Sequence, residues 1–219
     1  MHRVTAKNFG LRCVSSFASP RLYDETFLAS FVSTALHELA PYGIGAQSFG
    51  KSEGDRLFGY WLSISLFNGN ATFALNRDGL VSSLVNGQTQ EDAELIKDLL
   101  HKAHRCLPEL EKTKHAMTAF CHAEFVDGST VEQVFKDLVL TKGAVNPVAV
   151  GVISEEPSEA LLPSNERLRL DIAPSELKEN RLFMSWQMTT RGAVSAESWN
   201  ALSLRLNALA GSLGIEIVK

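Results

Sequence analysis

The densest group of potential metal ligands falls between positions 101 and 124, with His101, His104, Cys106, His115, Cys121, His122 and Glu124. Three residues apart on a helix, His101 and His104 share a face. Two apart on a strand, His122 and Glu124 do the same, so two bidentate pieces of a zinc-type site are present. The remaining spacing opposes such a site. Cys121 points away from His122 across the strand, Cys106 falls at a helix end, and neither Cys-x-x-Cys nor His-Glu-x-x-His occurs. The sequence therefore predicts no metal and no cofactor, with His104 and Cys121 half-buried and His101 and His122 solvated.

Nucleophilic chemistry finds little support. There is no Gly-x-Ser-x-Gly elbow. Cys121 and His122 are adjacent on a strand and so point apart, which denies the thiol its base. Gly43-Ile44-Gly45 and Phe49-Gly50-Lys51 lack the glycine spacing and the hydroxyl of a phosphate-binding loop. The expectation is a protein that is not an enzyme.

Aromatic and small polar residues offer a different chemistry. Where Tyr60, Leu62, Ile64 and Leu66 alternate toward a core, Trp61, Ser63, Ser65 and Phe67 face the other way. Phe183, Ser185 and Gln187 do the same later in the chain. Such a surface suits binding, because aromatics supply contact area while small polar groups fix orientation.

These residues need elements to position them. Leu11 to Phe17 alternates as a strand. A helix capped by Asp24 carries Phe27, Leu28, Phe31, Val32, Ala35, Leu36 and Leu39 on one stripe and stops before Pro41. A period of two returns between Leu57 and Val85. Reversals at Asn68-Gly69-Asn70 and Asn76-Arg77-Asp78-Gly79 make this segment a three-stranded meander. Thr89 and Asp92 form a capping-box pattern for the next helix, with Ile96, Leu99, Leu100 and Ala103 as its stripe. The cycle then restarts, with a strand from His115 to Phe125 and a helix capped by Ser129 with Glu132. Strands follow at Val148–Ser154, Leu168–Ile172 and Leu182–Met188, then a helix capped by Ser195 and stopped near Gly211, and a closing strand from Gly214 to Val218.

The order strand, helix, strand, strand, strand, helix thus occurs twice. Thr89 and Ser195 stand 106 apart, Arg56 and Arg167 stand 111 apart, and Asn70 with Asn180 and Phe73 with Phe183 stand 110 apart. The expected fold is α+β, a tandem duplication spanning 1–110 and 111–219 and packed as one unit, with antiparallel sheet and helices on one face. In element order it resembles the bacterial effector-binding domains related to gyrase inhibitors and the saddle of TATA-binding proteins.

Composition bounds the partners. The 219 residues carry 21 basic and 25 acidic side chains, a net charge of −4, with no basic run dense enough to attract nucleic acid or anionic lipid. No stretch approaches the roughly 18 apolar residues of a membrane span. The N-terminal residues show no secretory h-region. Cys13, Cys106 and Cys121, odd in number and widely spaced, fit reduced thiols and a cytoplasmic protein. The reading that follows is a non-enzymatic binding protein, immunity-type or adaptor-like, that engages a protein partner through Trp61, Ser63, Ser65, Phe67, Phe183, Ser185 and Gln187. The alternative is a small-molecule sensor with a cleft between the repeats lined by Trp61 or Trp186. Homo-oligomerisation is left open.

Overall fold

Alternation of side chains along one long N-terminal strand organises the molecule. A computed structural model describes residues 1–51, 59–108, 114–138, 149–155, 167–191 and 196–218. Strand β1 (His2–Ser16) buries Val4 before a bulge and Leu11, Cys13 and Ser15 after it. Asn8, at φ 46°, makes that bulge, and the register against the two neighbouring strands shifts between Lys7 and Gly10 on one side and between Phe9 and Leu11 on the other. The extra residue changes which parity faces the core. It also hides the first half of the strand from a period-two reading, which started only at Leu11.

Helix α1 (Glu25–Glu38) begins where the Asp24 carboxylate accepts from the N–H groups of Thr26 and Phe27, as its cap spacing predicts. It buries Leu28, Phe31 and Ala35, while Leu36 stays exposed. After the short strand β2 (Phe49–Lys51), which the pattern did not reveal, come β3 (Leu62–Leu66), β4 (Ala71–Asn76) and β5 (Gly79–Gly87). They pair antiparallel in sequence as the expected meander. Phe67-Asn68-Gly69 forms the first reversal with positive φ throughout. Helix α2 (Gln90–Arg105) carries the full Thr89/Asp92 capping box.

Strand β6 (Lys114–Phe125) and helix α3 (Val131–Leu138) open the second half. The helix start lies one residue beyond the predicted Ser129/Glu132 box. Thr130 and Gln133 make the reciprocal bonds instead, because the Ser129 N–H is taken by Asp127 and its hydroxyl lies 2.9 Å from His2 Nδ1. Strands β7 (Val150–Glu155), β8 (Arg167–Pro174) and β9 (Arg181–Arg191), helix α4 (Ala196–Ser212) and strand β10 (Ile215–Val218) complete the chain. Gly211 lies inside α4, and the left-handed residue that ends the turn is Gly214, φ 77°. Ser195, Arg56 and Leu57 lie outside the described residues.

The ten strands of the described residues form one sheet in the order β2-β3-β4-β5-β1-β6-β9-β8-β7, with β10 added parallel to the start of β1. The protein is thus α+β, with a mostly antiparallel sheet and, among the described residues, four α-helices. β1 and β6 lie side by side at the centre, and β5, β4, β3 leave one flank in the order in which β9, β8, β7 leave the other. Phe73 and Phe183, matched by constant spacing, do not hold corresponding places. Phe73 is in β4, two strands out from the centre and buried, whereas Phe183 is in β9, one strand out and half-buried.

One face of the sheet is the core. Ile64, Phe73, Leu75, Leu80, Leu84, Leu170, Ile172, Leu182 and Met184 are all buried on it, each contributing about 1.5–3 kcal/mol by leaving water. Among the described residues, no helix is long and apolar enough to cross a membrane.

Candidate functional site

Residues opposite the core face line up across the sheet. Following the ladders from strand to strand, Ser65, Thr72, Ser83, Arg12, Thr118, Gln187 and Arg169 form one transverse row over β3, β4, β5, β1, β6, β9 and β8. Ser65, Arg12, Gln187 and Arg169 are exposed and the other three half-buried. Six interstrand steps of about 4.8 Å make the row roughly 29 Å long. Its chemistry is small hydroxyls and the Gln187 amide with one guanidinium group, Arg12, at mid-row and another, Arg169, at the end, bridged at 2.8 Å to Asp171.

A more apolar patch adjoins the row on β6 and β9. Phe120 and Phe183 lie 6.4 Å apart, and the His122 ring is 5.2 Å from Phe183. His122 Nδ1 lies 2.8 Å from the Ser175 hydroxyl. Burial, with the Arg181 charge second, lowers the His122 pKa.

Of the residues expected on this surface, Ser63, Ser65, Phe183, Ser185 and Gln187 lie on strand positions facing away from the core, although Ser185 is buried beside its ladder partner Phe120. Trp61 and Phe67 do not join them. The chain bends at Trp61, so the alternation of β3 does not extend back through it. Trp61 is 2% exposed and packs edge-on against Tyr23, while Tyr60, expected inside, is 45% exposed. Phe67 sits in the hairpin turn, edge-on to Tyr42, and borders a groove of about 190 Å³ with Asn86, Leu95 and Leu99. Arg12, Thr118, Phe120 and Arg169 join the surface unannounced. Their signal was present in the alternation of β1, β6 and β8, but neighbouring strands could not be known before the sheet order.

The histidine and cysteine group separates into two faces. His122 and Glu124 share the side away from the core, and His101 is exposed on α2. His104 and Cys121 are 6% and 2% exposed, more deeply placed than expected. His104 of α2 and His115 of β6 meet over β1, where neither spacing nor periodicity pointed. Ser15 Oγ lies 2.7 Å from His104 Nε2, 2.8 Å from His115 Nδ1 and 3.4 Å from Cys13 Sγ. One hydroxyl donates to one ring and accepts from the other. His104 Nδ1 is buried without a hydrogen-bond partner among the described residues. Burial first, then the neighbouring His115 and His101, pushes the His104 pKa down to about 3, so it is neutral at ordinary pH.

Reactive thiols are not part of this arrangement. Burial raises Cys13 to about 11 and Cys106 and Cys121 to about 12, the reverse of the depressed pKa that a nucleophilic cysteine requires. Comparison with known protein families and with curated proteins finds no match for this chain.

Proposed function

We propose that this chain is a non-enzymatic binding protein of the immunity or adaptor type, which engages a protein partner through the sheet face carrying Ser65, Arg12, Thr118, Gln187 and Arg169. The observation that carries the reading is the length of the transverse row. A contact line of roughly 29 Å exceeds what a small ligand spans and suits one side of a standard protein interface, about 800 Å² per partner. Small hydroxyls, arginines and the Phe120/Phe183 pair supply the mixture of polar anchors and apolar area that such interfaces use.

The same reading takes the two halves, 1–110 and 111–219, as copies packed into one unit, with helices covering the core face and leaving the other for the partner. The matched order of strands on either side of β1 and β6 supports this. Against a ligand cleft between the halves, they meet along the β1–β6 ladder, and Trp61 and Trp186 are both buried. Three free, buried cysteines accord with a cytoplasmic site of action.

Affinity capture from cells that naturally make the protein tests the proposal when run beside a variant carrying Arg12→Glu and Gln187→Glu. The expected result is a stoichiometric partner held by the native protein and weakened at least about tenfold, or 1.4 kcal/mol, by the variant, with its melting unchanged. No stoichiometric partner in any condition, or equal retention by the variant, overturns it.

A further inference from the structure

We infer that Cys13, His104 and His115 form a buried binding site for a zinc-class d¹⁰ cation, with the Ser15 hydroxyl as its fourth donor. Three elements distant in sequence, β1, α2 and β6, bring one ligand atom each to within 4.8 Å of one another. In tetrahedral zinc sites the donor atoms stand about 3.3–3.6 Å apart, so closing around an ion asks for side-chain adjustments of about 1 Å. Ser15 Oγ lies 2.7, 2.8 and 3.4 Å from His104 Nε2, His115 Nδ1 and Cys13 Sγ, so in the metal-free protein it bridges the three donors, and it turns aside to become the fourth ligand when the ion enters.

The donor chemistry selects the ion. A thiolate and two imidazoles suit zinc and exclude magnesium or calcium, which require oxygen ligands. Every member of the cluster is buried. Ligation through Nε2 fixes the neutral His104 ring as its Nδ1–H tautomer. Binding releases one proton, that of the Cys13 thiol, as the zinc–sulfur bond forms.

The test uses the full chain stripped with a chelator, then exposed to zinc both in the native state and during refolding, so that slow access to the core is not mistaken for absence of a site. One zinc per chain and a higher melting temperature are expected. Cobalt in place of zinc gives a thiolate-to-cobalt charge-transfer band, which Cys13→Ser removes. The band persists in a variant whose Cys106 and Cys121 are alanine. His104→Gln and His115→Gln weaken binding at least tenfold, while His122→Gln on the opposite face leaves it unchanged. Should the core variants fail to fold, the variant keeping only Cys13 decides alone through its cobalt spectrum. Substoichiometric zinc in both arms, or a cobalt complex lacking the thiolate band, overturns the inference.

Discussion

Replacing Ser15 by alanine removes one oxygen from the core, and its cost can be worked from the contacts. In metal-free protein the hydroxyl joins His104 Nε2 at 2.7 Å and His115 Nδ1 at 2.8 Å, at a position with no solvent exposure. Water cannot replace it, so each ring nitrogen loses its partner at about 1–3 kcal/mol. Alanine itself avoids the desolvation of a hydroxyl, which leaves a net loss of about 2–4 kcal/mol. For a chain of this length that lowers the melting temperature by roughly 5–15 °C. Ser82 is the internal control. It is equally buried, it is the ladder partner of Cys13, and its hydroxyl has no hydrogen-bond partner among the described residues. Ser82→Ala should therefore be neutral or stabilising by up to about 1 kcal/mol. Urea denaturation of both variants at neutral pH with chelator present measures the difference, with unchanged m values as the condition for comparison. If Ser15→Ala falls within about 0.5 kcal/mol of Ser82→Ala, an ordinary surface-level change, the hydroxyl does not link the two rings.

Two further outcomes follow from local geometry. Gly69 in the hairpin turn has φ 90°, and a Cβ there would meet nothing within 4 Å, so Gly69→Val should cost about 1–2 kcal/mol through backbone conformation alone, read as a lower melting temperature. The Asp127 carboxylate accepts from the Arg3 and Ser129 N–H groups, which hold its pKa at about 2, below its ordinary 3.8. Its contribution is therefore complete above pH 3.8 and disappears as pH falls through 2. Asp127→Ala should lower stability at pH 6, and the gap to native protein should close on approaching pH 2 in a pH series of denaturation midpoints.

Local pattern was enough for most elements. Asp24 and the Thr89/Asp92 box mark helix starts because a cap satisfies backbone groups within a few residues. Asn68-Gly69 marks a reversal because positive φ is a property of the turn itself. What depended on neighbours was hidden. The first half of β1 vanished behind the Asn8 bulge, since one inserted residue changes the parity on which strand reading relies. Trp61 changed faces because β3 begins one residue later, and burial against Tyr23 is decided by a segment far away in the chain. The open row depends on sheet order, which long-range pairing sets, so Arg12 and Arg169 could each be placed outward but not on one line with Gln187. The Cys13, Ser15, His104 and His115 cluster was the least legible part. Its members come from a strand, a helix and a second strand, and only packing α2 against β5 brings its last turn, with His104, to within 2.7 Å of Ser15 on β1.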